Sequence, residues 1–139
     1  MQTWKTTALI CAMTLGLFAC ASELKVPITG DLQGRPAAGQ AVARSDGHGE
    51  FWVQEPGGPR CSGSYNPRDT NPTIIVPVSC SDGRTGETVI TRQMDGLSGT
   101  AVVALNDGSK GQFVFGNVRY EQAFGSGGKA ATVPTIVTR

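Results

Sequence analysis

Few residues in this chain could support catalysis. The only histidine is His48, and it lies in the stretch Asp46-Gly47-His48-Gly49, which is typical of an exposed turn. Catalysis of the Ser-His-Asp type needs a base held beside its nucleophile, and the chain contains no Gly-x-Ser-x-Gly motif. The 11 acidic residues are scattered in turn-like segments, where solvation accounts for them. We therefore predict that the protein is not an enzyme and has no cofactor.

The N-terminal segment indicates where the protein resides. A basic residue, Lys5, precedes an apolar run that is shorter than the about 20 residues of a transmembrane helix, as in a removable export signal. The run ends in Leu17-Phe18-Ala19-Cys20, which resembles the lipobox of bacterial lipoproteins. The resemblance implies that Cys20 becomes the lipidated first residue and, with Ala21 next, that the anchor lies in the outer membrane and the domain faces the periplasm. An ordinary secretory signal cleaved near Ala19 or Ala21 is the alternative.

The lipobox resemblance also bears on the four cysteines. It removes Cys11 with the signal and assigns Cys20 to the lipid, which leaves Cys61 and Cys80 as an even pair in an oxidising compartment. Two cysteines and the single His48 do not make a four-ligand zinc set, and the chain has no Cys-x-x-Cys redox motif. We predict a Cys61–Cys80 disulfide and no metal site.

Length and charge restrict the kinds of partner. A chain of 139 residues forms one domain at most, and its 19 Gly and 8 Pro leave room for only a thin core. Lys and Arg total 12 against 11 Asp and Glu, so no charge excess favours nucleic acid. The predicted partners are therefore the membrane, through the N-terminal lipid, and an envelope protein or polysaccharide.

Short β-type runs, separated by turn residues, follow the N-terminal segment. None of the sequence after residue 20 repeats apolar residues at helical spacing. Pro77 cannot donate to a ladder and predicts an edge or a bulge in its strand. The predicted strands are 40–44, 50–54, 73–79, 87–92, 99–106, 112–115 and 118–122, and residues 25–29 could form a first strand.

Three Asp-Gly pairs connect these runs. Asp46-Gly47, Asp82-Gly83 and Asp107-Gly108 each stand between two β-type segments, and Asp-Gly tolerates the positive φ of hairpin turns. The fold class predicted from them is all-β: a small antiparallel meander or barrel-like sheet of Asp-Gly hairpins, stapled by the disulfide. The predicted core is Val42, Phe51, Val53, Ile74, Val76, Val89, Val103, Leu105 and Phe113.

Two local resemblances accompany this pattern. The stretch from Gly99 through Asp107-Gly108 to Gly116 is similar to a degenerate MORN repeat, a β-hairpin unit of scaffold proteins, and supports the hairpins. A small disulfide-stapled lipoprotein also resembles the membrane-bound inhibitors of c-type lysozyme, whose Ser-Gly-x-x-Tyr loop and downstream Lys enter the lysozyme cleft. The related residues here are Ser62-Gly63-Ser64-Tyr65, one residue shorter, and the next lysine is Lys110.

These observations give candidate binding residues and a predicted organisation. The candidate binding loop is Ser62, Gly63, Ser64 and Tyr65, with Arg84 as a cation for an anionic partner. Residues 1–19 are predicted to be a lipoprotein signal peptide, 20–39 the lipidated cysteine and a tether, 40–122 the β domain, and 123–139 a Gly-rich linker with a tail or last strand. The predicted function is that of a lipid-anchored binding or structural module of the cell envelope. The alternative is a periplasmic inhibitor of a hydrolase such as c-type lysozyme.

Overall fold

Eight antiparallel strands and one short helix make up residues 22–125, the part of the chain that the computed structural model describes. Each strand pairs with the next one along the chain, and β8 pairs back with β1 to close a barrel. The predicted all-β class and barrel-like sheet are confirmed. The elements are β1 (Glu23–Leu32), β2 (Arg35–Arg44), β3 (Gly49–Gln54), β4 (Arg60–Tyr65), β5 (Thr73–Cys80), β6 (Thr85–Arg92), β7 (Gly99–Leu105), β8 (Lys110–Phe115) and α1 (Tyr120–Phe124).

Alternate side chains of every strand point into the barrel and form its core, as the period of two in a strand requires. The register keeps these positions aligned from strand to strand, so that Val53 faces Cys61 and Cys61 faces Cys80. Most of the predicted core residues lie in this inner set, and Ile74 packs against it half-buried. The buried inner set is Ile28, Leu32, Ala37, Phe51, Val53, Cys61, Val76, Val78, Cys80, Val103, Leu105 and Phe113.

Two predicted core residues lie on the outer face instead. Val89 is 41% exposed and aligns with Ile75 and Val102 in a row on the outer wall of the barrel. The prediction was wrong there because a one-residue shift of register exchanges the two faces of a strand, and both faces of β6 carry β-branched residues. The inward residue is Thr88. Val42 is buried, but its register partner Lys25 shows that it too faces outward.

Residues 23–39 of the predicted tether are part of the barrel, apart from the turn at 33–34, and the possible first strand at 25–29 lies within β1. Residues 23–32 and 35–44 form β1 and β2, so the tether boundary predicted at residue 39 was wrong. The prolines had suggested that this segment is irregular. Each of them lies where its strand is paired with one neighbour only, so the missing N–H removes no hydrogen bond to a second neighbouring strand. Pro27 lies just before the β8 ladder begins at Ile28, and Pro36 lies just before the β3 ladder begins at Ala38.

The strand predicted at 118–122 is also wrong, since α1 occupies Tyr120–Phe124. This helix packs against β8 on the outside of the barrel. The hydroxyl of Tyr120 donates a hydrogen bond to the carboxylate of Asp31, and burial together with this carboxylate raises the pKa of Tyr120 to about 12. Within residues 22–125, helical structure is too short and too polar to span a membrane. The predicted linker and tail beyond Gly125 lie outside the described residues.

The three predicted Asp-Gly hairpins are confirmed and share one geometry. They join β2 to β3, β5 to β6, and β7 to β8. The backbone N–H of Gly47, Gly83 and Gly108 donates to the carbonyl oxygen three residues earlier, at 3.0 Å in each turn. Their φ values are 92°, 92° and 88°, a conformation that glycine adopts without strain.

A fourth Asp-Gly turn, at Asp95-Gly96, joins β6 to β7 and was not predicted. Gly96 donates to the carbonyl oxygen of Gln93 at 2.9 Å, and the Asp95 carboxylate accepts the N–H of Leu97 at 2.9 Å. This hydrogen bond lowers the pKa of Asp95 below its ordinary value, as the N–H of His48 does for Asp46. The aspartates of these turns therefore accept hydrogen bonds from backbone N–H groups, which agrees with their scattered distribution in the sequence.

The seam between β4 and β5 is the shortest in the barrel, and the disulfide lies in it. Two residue pairs align across this seam, Cys61 with Cys80 and Ser62 with Ser79, whereas five or more align across each of the other seams. On β5 the pairing covers only Ser79 and Cys80 and begins two residues after Pro77, which has no N–H to donate. The predicted disulfide is confirmed. It joins the two strands at one of the two aligned pairs of this short ladder.

Candidate ligand-binding cavity

The two ends of the barrel differ in how they are filled. At one end, the closed end, lie the four connections at residues 33–34, 55–59, 81–84 and 106–109. At the other end, the mouth, lie the connections at 45–48, 66–72 and 93–98, together with the start of β1 and the end of β8. The mouth is the end at which the described chain enters the barrel, since Ser22 accepts a hydrogen bond from Ser45.

The closed end is packed, and two of its arginines, Arg35 and Arg84, form ion pairs. The disulfide fills the interior there, and Arg35 pairs with the buried Glu55 at 2.9 Å between Nε and Oε2. Arg84 Nε lies 2.8 Å from Asp82 Oδ2, and its Nη1 lies 3.4 Å from Asp107 Oδ2. These pairs hold the connections at the closed end to one another and to the neighbouring strand.

An apolar cavity of about 180 Å³ occupies the mouth half of the barrel and opens at the mouth. Its deeper walls are aliphatic and aromatic, and its upper walls include loop residues on either side of the opening. The lining residues are Leu24, Val26, Ile28, Ala41, Ala43, Phe51, Val53, Tyr65, Pro67, Ile74, Thr88, Ile90, Arg92, Gly96, Leu97, Ala101, Val103, Phe113 and Phe115. An eight-stranded barrel has an interior that side chains can fill or that can hold one small ligand, and this one is unfilled at the mouth.

Small inward residues make the space. The inward positions of β2 carry only Ala and Gly after its first residue, and Ala41 and Ala43 line the cavity. On β7, Ala101 leaves further room beside Phe113. A larger side chain at Ala41, Ala43 or Ala101 would enter the cavity. The cavity therefore exists because these positions carry alanine.

Aromatic rings lie against glycines of the neighbouring strand and are thereby held to the wall. A Cβ added at Gly63 would lie 2.6 Å from the Phe51 ring, and one added at Gly49 would lie 2.7 Å from the Tyr65 ring. Each of these pairs is aligned across β3 and β4, and the two rings are 6.5 Å apart between centroids. The glycines thus let bulky rings flatten against the barrel wall instead of crossing its interior.

A buried polar atom of a cavity-lining residue has no partner among the described residues. The side chain of Thr88 is among the most buried in the protein, with 1% of the residue exposed, and it lines the cavity. Its Oγ1 makes no hydrogen bond within residues 22–125. A buried hydroxyl without a partner costs roughly 1–3 kcal/mol, and a hydrogen bond to a bound water or ligand atom would offset this cost.

The opening carries a cation and a phenol. Arg92 is the only charged residue among those lining the cavity, and its Nη2 donates to the carbonyl oxygens of Asp69 and Asn71 at 2.6 Å and 2.5 Å. These bonds hold the loop between β4 and β5 over one side of the mouth. Burial raises the pKa of the Tyr65 hydroxyl, and the nearby Arg92 charge offsets part of this rise. The arrangement places two hydrogen-bond donors at the entrance of an apolar cavity.

Exposed apolar side chains surround the opening. Leu24 on β1 and Leu97 in the loop between β6 and β7 are both 46% exposed, and Met94 in the same loop is fully exposed. We call these three residues the mouth rim. Exposed apolar side chains beside an apolar cavity are typical of a surface that meets a hydrophobic ligand or a membrane.

The structure does not bring Arg84 together with the other candidate binding residues. Ser62, Gly63, Ser64 and Tyr65 form most of β4 and not a loop, so the loop assignment was wrong. Ser62 and Ser64 point outward, whereas Gly63 and Tyr65 face the interior. Arg84 lies at the closed end in its ion pairs, at the opposite end of the barrel from Tyr65. Cys20 lies outside the described residues.

Of the residues that define the cavity, only Tyr65 was among the candidate binding residues. Thr88 and Arg92 belong to no sequence motif. Their position in the cavity wall depends on the register of β6. One signal was available in the sequence. Ala37, Gly39, Ala41 and Ala43 alternate with other residues along 35–44, and small residues on one face of a strand indicate space on that face.

No protein-family model, no curated protein and no solved structure matches this chain. The functional assignment therefore rests on the geometry of the cavity.

Proposed function

We propose that the protein is anchored in the cell envelope by lipid on Cys20 and that its barrel binds a small hydrophobic molecule. The observation that carries the binding role is the apolar cavity of about 180 Å³, open at the mouth and lined by a single charged residue. Concave, mainly apolar sites with a few polar groups are the usual form of small-molecule sites. The proposal selects binding over a purely structural role for the module.

The size of the cavity limits the ligand. A dry apolar cavity of about 150 Å³ in another protein holds one benzene molecule, so a cavity of 180 Å³ accepts a ring or a short aliphatic segment. A longer molecule would extend through the mouth. The ligand is therefore a small molecule or one end of a longer one.

The position of the anchor is consistent with a hydrophobic ligand. Cys20 precedes Glu23, the first residue of β1, by three residues, which span at most about 10 Å. Lipid on Cys20 would accordingly hold the mouth, with its rim of Leu24, Met94 and Leu97, at the bilayer surface. A molecule that partitions into the membrane would then have a short path to the cavity.

Filling the cavity is expected to abolish binding of a hydrophobic probe. The experiment is a calorimetric titration of the full chain in phospholipid nanodiscs with toluene, with empty nanodiscs as the blank. Ala41→Leu places a larger side chain inside the cavity and should lower toluene affinity at least tenfold, because the added atoms take the volume of the ligand. The melting temperature of the variant checks that it remains folded.

Ala38→Leu is the matched control, since Ala38 lies on the same strand and is exposed on the outer face. It should leave toluene affinity unchanged. Equal affinity in wild type, Ala38→Leu and a folded Ala41→Leu variant would contradict binding in the cavity, and so would a wild-type protein that does not bind toluene.

A further inference from the structure

Thr88 indicates that the ligand has a polar atom at its inner end. Thr88 lines the apolar cavity, and its buried hydroxyl has no hydrogen-bond partner among the described residues. Its register partners on both neighbouring strands are valines, Val76 and Val103, which offer no polar side-chain atom. A ligand group that can hydrogen-bond at this depth would satisfy the hydroxyl, whereas a purely hydrocarbon ligand would leave it unpaired.

Arg92 indicates that the outer end of the ligand is anionic. It lies four residues from Thr88 on the same inward face of β6, about 13 Å along the strand at 3.3 Å per residue. Its Nη2 is used by the two loop carbonyl oxygens, while Nε and Nη1 have no partner in residues 22–125. No carboxylate of those residues forms an ion pair with it, in contrast to Arg35 and Arg84 at the closed end. A guanidinium with unused donors beside an apolar surface suits a carboxylate.

We propose that the ligand is a small amphipathic carboxylate that carries a hydrogen-bonding group at the far end of its apolar body. The carboxylate lies at the mouth on Arg92, the body lies along the aliphatic and aromatic walls, and the inner group hydrogen-bonds to Thr88. The inference rests on the proposed function, because it assigns the chemistry of the ligand to the cavity for which binding is proposed.

The experiment compares three probes of similar length, namely 8-hydroxyoctanoate, octanoate and octan-1-ol. Their affinities for the full chain in nanodiscs are measured by calorimetric titration, with empty nanodiscs as the blank. Wild type should bind 8-hydroxyoctanoate about fivefold more tightly than octanoate, the effect of one hydrogen bond. In Thr88→Val, which keeps the shape of the side chain, this ratio should fall to about one.

Variants of Arg92 and Arg68 test the anionic end. Arg92→Gln should weaken both carboxylates about tenfold and leave octan-1-ol unchanged, and Arg92→Lys should restore most of the loss because it keeps the charge. Arg68→Gln is the control, since Arg68 donates to Ser45 at the mouth but does not line the cavity. It should change none of the three affinities.

The outcomes separate this inference from the proposed function. An unchanged ratio of the two acids in Thr88→Val, or an equal loss of octan-1-ol and octanoate in Arg92→Gln, would overturn the inference. So would octan-1-ol binding in wild type without carboxylate binding. In each of these cases toluene would still bind, and the proposed function would stand. Loss of binding of toluene and of all three probes would contradict the proposed function itself.

Discussion

Replacing Cys20 with serine is expected to remove the protein from the membrane fraction and to abolish its metabolic labelling with a fatty acid. The lipobox resemblance implies that the Cys20 thiol is the attachment point of a diacylglyceryl group, and serine offers no thiol. Each buried CH₂ contributes about 0.8 kcal/mol to membrane binding, and two chains anchor stably where one holds only marginally. Loss of the attachment should therefore change a stably bound protein into one released by washing.

Cys11→Ser is the matched control for this experiment. Cys11 lies in the apolar run of the predicted signal, so its loss should alter neither labelling nor membrane association. Fractionation by centrifugation and labelling with a clickable palmitate analogue give two independent readings. Labelling and sedimentation of Cys20→Ser at wild-type levels would show that the anchor assignment is wrong.

Removing the disulfide is expected to cause a large loss of stability. The bond closes a loop with a sequence separation of 19 residues, which corresponds to about 3 kcal/mol in the chain-entropy model. Without it, the seam between β4 and β5 retains Ser62–Ser79 as its one other aligned pair. The melting temperature of Cys61→Ala/Cys80→Ala should fall by roughly 10–25 °C. Alanine is used because serine would place two hydroxyls in the buried interior.

Two controls define this effect. Ser79→Ala removes an exposed side chain from the same seam and should leave the melting temperature within a few degrees of wild type. Wild type treated with a reductant should melt close to the double variant. A double variant that melts like oxidised wild type would contradict the view that the disulfide holds this seam.

The fold could be predicted where a local pattern has a local cause. The Asp-Gly turns at Asp46, Asp82 and Asp107 were predictable because positive φ and the aspartate side chain define the turn within four residues. Strand β4 was missed because its sequence, Arg60–Tyr65, is rich in Ser and Gly, and its conformation depends on packing against the Phe51 ring. The inward position of Thr88 instead of Val89 depended on register, which the sequence of β6 alone does not contain.

The cavity was harder to predict than the fold. A cavity results from what a set of strands leaves unfilled, and the strands that meet around it are far apart in sequence. Ala41 on β2 and Ala101 on β7 are 60 residues apart, yet both line the same space. Thr88 and Arg92 became candidates only when burial and hydrogen bonding were known, because neither belongs to a motif.

The most direct test of the account is to locate a bound hydrophobic molecule by NMR. The full chain, with labelled methyl groups, is placed in nanodiscs, and intermolecular nuclear Overhauser effects to toluene are measured. The account predicts contacts to the inner methyl groups of Ile28 and Val103, and their loss in Ala41→Leu. Contacts confined to the outer row of Ile75, Val89 and Val102, or unchanged inner contacts in a folded Ala41→Leu variant, would contradict it.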